Sequence, residues 1–325
     1  MTSLVGNAAA QAELGAALTS PSLHHAWLFA GPQGVGKATL ARATALRLLA
    51  QASDPALAPG SDVPDGHRIR ALFDAGSHPD FRTLARQPKD PEKPDQDVAR
   101  SIPIAQIRGL APMFATKPSL SHRRVVIIDA IDDVERPGAS NALLKMLEEP
   151  PEGTIFLLIS HSPGRLLPTI RSRCRTLRFE PLGEGQVEQV LRRELPEASD
   201  TELGALVRAS NGSPGRALGF AGLDMAAIER DLDLAATSGD RDNAIRTRLA
   251  KALSTKSAQP RYEAFLDRVP GFIAAQARTR TGDALLSAID AQAATRSLAD
   301  ASTGLSLDPA TTVFQMVGHV ASLAR

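Results

Sequence analysis

The chain has 325 residues, with 37 Lys and Arg against 36 Asp and Glu, and 43% of its residues are hydrophobic. That length predicts two or three domains with real cores. A net charge of +1 excludes wholesale polyanion binding as the basis of function and leaves only a local basic face. The single cysteine, Cys174, excludes an intrachain disulfide and a cysteine-rich metal site, and fits a reducing compartment. The opening "MTSLVGNAAAQAELGAAL" has no basic leader region and carries Glu13, a poor match to a secretion signal. No run approaches the roughly 18 apolar residues of a membrane span, so a cytoplasmic location without membrane contact is expected.

"HAWLFA", residues 25–30, is a short apolar run ending at a glycine and predicts a buried strand. "GKATLARATALRLLA" follows with good helix formers at helical spacing. Residues 51–66, rich in Pro, Gly, Ser and Asp, read as a loop. "HPDFRTLA" resembles a short strand, and residues 87–97, "QPKDPEKPDQD", a polar surface loop. "IPIAQIRGLAPMFA" places Ile104, Ile107, Leu110 and Phe114 on one helical face. "RRVVIIDA" is a buried strand with an acid at its C-terminal end, and "GASNALLKMLEEPP" a helix stopped by two prolines. "TIFLLIS" and "CRTLRFEP" are further strands. Apolar strands alternating with helices predict a parallel, doubly wound α/β sheet, which binds ligands at the carboxyl ends of its strands.

After Pro181 the pattern turns helical and Ala-rich. "GQVEQVLRREL", "TELGALVRAS" and "SPGRALGFAG" predict a small helical domain, and longer amphipathic segments from about residue 225 a second one. There Ile245, Leu249 and Leu253 recur at four-residue steps. Asp308-Pro309 reads as an N-cap with proline at the first helical position, ahead of Val313, Val317 and Val320. The expected organisation is an α/β domain over 1–180, a helical lid over 181–224 and a helical domain over 225–325.

"GPQGVGKA", residues 31–38, fits the phosphate-loop pattern G-x-x-x-x-G-K-[ST] at every position but the last. Gly31, Gly34 and Gly36, with Pro32 between them, let backbone N–H groups converge on phosphate oxygens. The helix beginning near Lys37 adds its positive dipole end, and Lys37 a point charge. Ala38 lacks the hydroxyl that would ligate Mg²⁺, and Thr39 sits about 100° further round the helix. ATP hydrolysis of this type also needs two acids after "VVII". Asp129 can serve the metal shell, but Ala130 cannot polarise water. Asp132 and Asp133 follow the strand end and read as solvated loop acids or a helix cap. Two separate losses, at 38 and 130, argue against hydrolysis in cis. Whether the loop still holds ATP or ADP with Mg²⁺ stays open.

"HHAWLFAGPQGVGKATLA", "SHPDF", "VVIIDAIDDV", "NALLKMLEEPPEGTIFLLIS" and "LLPTIRSRCRTLRF" together resemble the clamp-loader branch of the AAA+ ATPases, and within it the delta-prime family of bacterial DNA polymerase III subunits. The resemblance is dense over residues 1–180, and "NALLKMLEEPP" followed by "SRC" is far more specific than the glycine loop. It implies a P-loop AAA+ sheet domain, a lid and a C-terminal collar that assembles the oligomer. It also implies that Arg173 is an arginine finger, acting in trans on ATP held by a neighbouring motor subunit. The plainer reading is a strand-edge arginine in a cluster with Arg171, Arg175 and Arg178. Ser160 matches a polar sensor of the γ-phosphate, or is an ordinary strand-end serine. Arg216, in "GSPGRAL", matches the second sensor on the lid helix, or is a surface arginine. Val5-Gly6 matches a contact to adenine.

The implied partners are the motor (gamma/tau) and delta subunits, the sliding clamp and, through the complex, primed DNA. Many such proteins carry a four-cysteine zinc module before "HPDF". Here only His67 and His78 fall in that region, too few for tetrahedral zinc, so no metal is expected. His24 and His25 read as structural, and Cys174 as a buried strand residue. Lys117, Arg123 and Arg124 form a solvated basic face or a DNA contact. The functional expectation is a non-motor stator of a clamp loader, with neither ATP hydrolysis nor polymerase chemistry of its own. An active motor-type ATPase and a nucleotide-gated binding module are its rivals.

Overall fold

The computed structural model describes residues 4–20, 22–58, 62–90, 92, 98–305 and 307–324. Parts of the two Pro-rich loops, and Ser306 of "LSLDP", lie outside the described residues. The chain divides into two compact units, Met1–Leu182 and Gly183–Arg325.

The first unit runs α1 (Ala8–Leu18), β1 (Ala26–Ala30), α2 (Lys37–Ser53), α3 (Arg68–Asp74), β2 (Phe81–Ala85), α4 (Ile104–Arg108), α5 (Ala111–Phe114), β3 (Arg124–Asp129), α6 (Gly138–Glu148), β4 (Thr154–Ser160), α7 (Pro168–Arg171) and β5 (Arg175–Arg178). The strands form one parallel sheet in the order β2-β3-β4-β1-β5. β1 and β4 are buried at every position, which is why they read as continuous apolar runs rather than alternating ones. β5 lies at the edge and buries only Leu177, so its other positions, Arg175, Thr176 and Arg178, are polar. On one face of the sheet, Leu28, Val126 and Phe156 pack with Ile107, Leu143 and Leu147 of α4 and α6. The register pairs Ala30 with Ser160 and Asp129 with Ile159, so β1, β3 and β4 end at a common rim. The chain start is tied to the far edge by Asn7, whose side chain donates to Glu180 O at 3.2 Å and accepts from Glu180 N at 2.8 Å.

Three local expectations are corrected. Residues 104–114 form two short helices, not one, because Pro112 has no N–H for a continuing helix and instead occupies the first turn of α5. α2 runs through Ser53, past the expected loop start at 51. Cys174 precedes β5 and is only partly buried, with burial pushing its thiol up to about 12. The helices α1, which is rich in alanine, and α3, which is seven residues long, were not expected from sequence.

The second unit is helical: α8 (Glu184–Glu194), α9 (Asp200–Ser210), α10 (Pro214–Gly219), α11 (Met225–Ser238), α12 (Ala244–Leu253), α13 (Gln259–Ala277), α14 (Gly282–Leu305) and α15 (Pro309–Ala321). Asp308 caps α15 by accepting Thr311 N at 2.8 Å, and Val313, Val317 and Val320 are buried. Ile245, Leu249 and Leu253 of α12 are buried as their spacing requires. Inside the unit Glu229 and Arg268 form a buried, two-point ion pair at 2.5 and 2.9 Å. Among the described residues no helix is long and apolar enough to cross a membrane.

Candidate nucleotide loop and arginine finger

The glycine loop leaves β1 at the common rim and enters α2 at Lys37. Gly34 and Gly36 have φ of +77° and +94°, a backbone that only glycine takes readily. Gly31 is required for a different reason: a Cβ there would stand 2.2 Å from the carbonyl oxygen of Phe179. Gly31 N donates to Ser160 O at 3.2 Å, which ties the loop to the end of β4.

Lys37 is 2% exposed. Its Nζ donates to Gly31 O at 2.6 Å and also to Pro32 O, so the amine is folded onto the carbonyls of its own loop. Burial pushes its pKa down to about 8, against the opposing pull of Asp129 and Asp132. Ala38 presents no oxygen, and Thr39 is exposed. Both line a cavity of about 370 Å³ shared with Arg42, Arg70 and Phe73, on the α3 side of α2.

Across the rim, Asp129 ends β3. Burial pushes its carboxyl up, against the lowering effect of His161 and Lys37. Asp132 is not a solvated loop acid. Its carboxylate accepts Ser160 Oγ at 3.0 Å, His161 N at 2.6 Å and Ser162 N at 3.2 Å, and so caps the exit of β4. Ser160 is fully buried and donates its hydroxyl to that acid. Asp133 pairs instead with Arg86 at 3.1 Å. His161 joins the same group. Its Nδ1 is buried without a partner, and burial followed by the Lys37 charge pushes its pKa down, against the three acids. Asp132 was read from sequence as a solvated loop acid or a helix cap, not as a cap on β4, and His161 was not singled out. The signal was present, since "DAIDD" and "ISHS" each follow an apolar strand, but the parallel register is what brings them together.

Arg173 lies at the opposite rim. The register pairs Arg175 with Trp27, four residues before Gly31, which is about 13 Å of parallel strand. Arg173 lies beyond Arg175 on the side away from the loop. Its Nη2 pairs with Glu148 Oε1 at 2.6 Å, where α6 ends, and its Nη1 donates to Thr169 O at 2.8 Å. A third of the side chain stays exposed. Arg175 is engaged separately, pairing with Glu13 and stacking over Trp27. Arg216 belongs to the second unit, where its Nε pairs with Asp267 at 2.9 Å and its backbone N is capped by Ser213. Val5 and Gly6 lie before α1, with Gly6 packed against Leu182.

Some polar residues prove to be structural. Arg124 is 2% exposed and donates to the carbonyls of Met113 and Thr116, so it is neither a solvated residue nor a DNA contact. His67 caps α3, and His78 is buried, holding Asp80 N. His24 and His25 stack, and His25 bonds Leu147 O. The glycine turns and Lys37 fit a polyphosphate, provided that the amine leaves its carbonyls. The residues at 38 and 130 do not fit a catalytic metal and its water.

A family model described as DNA polymerase III, delta subunit, matches residues 6–183, more than half of the chain. The chain belongs to the DNA polymerase III delta-prime family. The delta-prime subunit of Pseudomonas aeruginosa is 38% identical over 190 residues, covering 58% of this chain and 53% of that protein. The delta-prime subunit of Escherichia coli K12 is 37% identical over 202 residues, covering 60% and 54%. The gamma/tau subunit of Mycobacterium tuberculosis H37Rv is 32% identical over 215 residues, 65% of this chain and 34% of that one. The chain thus matches about half the length of its delta-prime relatives, and the matched family region contains the glycine loop, Asp129, Ser160 and Arg173. A solved gamma subunit-related protein from Thermotoga maritima aligns over 97% of this chain and 99% of its own, with 15% identity and a TM-score of 0.46.

Proposed function

We propose that this delta-prime family member is a non-motor subunit of the DNA polymerase III clamp loader, and that it lends Arg173 in trans to ATP held by a neighbouring motor-type subunit. The observation that supports this most directly is the position of Arg173. It lies at the rim opposite its own glycine loop, anchored to Glu148, and cannot serve a phosphate bound there. A finger in that place acts only on another chain, where a guanidinium stabilises charge developing on the transferred phosphoryl group. The missing groups at 38 and 130 agree, since they leave the chain's own loop without a metal ligand or a water base. In this reading nucleotide at the loop is not required, Ser160 and Arg216 hold sensor positions that no longer sense, and no zinc is needed. The helices from about 225 form the collar, and the partners are gamma/tau and delta subunits, the sliding clamp and primed DNA, in the cytoplasm.

The test is reconstitution with motor-type and delta subunits. Arg173→Ala is expected to leave the chain folded and assembled and to lower the ATPase kcat of the complex by about 10³-fold or more. Normal turnover and clamp loading by that variant would remove the finger assignment. Lys37-dependent hydrolysis by the isolated chain would favour an active motor instead.

A further inference from the structure

The guanidinium of Arg173 is held at two points. Glu148 Oε1 lies 2.6 Å from Nη2, and Thr169 O accepts from Nη1 at 2.8 Å. Contacts on two nitrogens of a planar group fix both its direction and its roll. Both anchors stand on rigid supports. Glu148 closes α6 directly after Leu147, which is 1% exposed, and Thr169 precedes Ile170, which is 3% exposed. Yet Glu148 is itself half exposed, so the pair contributes little to the fold. What such a pair supplies is geometry: it presets a long, flexible side chain before its target arrives.

We propose that Glu148 is a positioning residue, which holds Arg173 in the orientation from which it meets a phosphate of the neighbouring subunit. This rests on the reading of Arg173 as a finger. Glu148 touches no nucleotide; it acts through Arg173, and its removal raises the barrier without changing how ATP binds to the motor subunit.

The experiment uses the reconstituted complex and separates kcat from KM for ATP, with Arg173→Ala, Glu148→Ala, Glu148→Gln, Glu148→Asp and the Arg173→Ala/Glu148→Ala double variant. Thermal unfolding of each isolated variant reports the fold. Glu148→Ala and Glu148→Gln are expected to lower kcat by about 10- to 100-fold, with KM for ATP within about twofold. Glu148→Asp should recover part of that loss, and the double variant should be no slower than Arg173→Ala alone. Wild-type turnover by Glu148→Ala, beside a crippled Arg173→Ala, overturns the positioning role and leaves the finger standing. A further loss in the double variant overturns it too, because Glu148 would then act elsewhere. Turnover faster than wild type would mean that Glu148 withholds the finger, and likewise overturns it. If Arg173→Ala itself turns over normally, the finger reading fails and the positioning role fails with it.

Discussion

Replacing Lys37 by methionine should stabilise the protein, and by an amount that falls as pH rises. Lys37 is held below its free pKa of 10.5, at about 8, chiefly because burial disfavours its charge. The folded state therefore releases the proton more readily than the unfolded chain. The penalty is fully present below pH 8 and is relieved between about 8 and 10.5, so wild-type stability rises with pH over that window. Converting those two values at 1.36 kcal/mol per unit gives a penalty of about 3 kcal/mol at pH 7 and about 2 kcal/mol at pH 9. Methionine keeps the length and removes the charge, but it also removes the bonds to Gly31 O and Pro32 O, worth about 0.5–1.5 kcal/mol each. The net gain at pH 7 is then about 1 kcal/mol. The pH-dependent part is cleaner, because the neutral carbonyl acceptors do not titrate: the advantage of Lys37→Met should shrink by about 1 kcal/mol from pH 7 to pH 9. Urea unfolding of both proteins at the two pH values measures it. An advantage that is constant or grows with pH would refute the argument that burial depresses this lysine.

Gly31→Ala should cost about 2–4 kcal/mol in the same assay, because the new methyl meets the Phe179 carbonyl at 2.2 Å and neither backbone can move freely. Asp132→Ala should cost about 2–4 kcal/mol by stranding the buried Ser160 hydroxyl and two backbone N–H groups, whereas a solvated loop acid would cost next to nothing. In the second unit, Arg268→Ala should cost about 3–5 kcal/mol, because it leaves Glu229 buried and uncompensated; replacing both partners by apolar residues of similar volume should be far milder.

The strands were legible because each central strand is buried on both faces and so carries a continuous apolar run: "AWLFA", the "VVII" of "RVVIID" and the "IFLLI" of "TIFLLIS" need no partner to be recognised. Their order was not. Nothing local in "AWLFA" says that β1 lies between β4 and β5, and that placement sets Arg173 at one rim and the glycine loop at the other. The site divided along the same line. The placement of Gly31, Lys37, Ala38 and Asp129 at one rim was legible because it depends on spacing within one strand–turn–helix or on the end of one strand. The cap that Asp132 makes on β4 joins residues 28 to 30 apart in sequence, and the Glu148–Arg173 pair crosses from α6 to the start of β5, so each waits on tertiary structure.

The same geometry bears on why the loop looks intact while its chemistry is incomplete. Gly31 is demanded by the Phe179 carbonyl and Gly36 by its φ of +94°, both independently of any nucleotide. Lys37 satisfies two carbonyls of the loop and feels the charges of Asp129, which ends β3, and Asp132, which caps β4. The positions that packing and loop closure hold in place are therefore those that still match the phosphate-loop pattern. A hydroxyl at position 38 would serve only a metal and a carboxylate at 130 only an attacking water, so no packing demand keeps either in place of Ala38 and Ala130. A match to the pattern at Gly31, Gly36 and Lys37 is thus weak support for ATP chemistry in this chain, whereas Ala38 and Ala130 bear on it directly. On the proposed reading, Lys37→Met should stabilise the subunit without lowering turnover of the complex, while Arg173→Ala should leave the fold intact and lower that turnover.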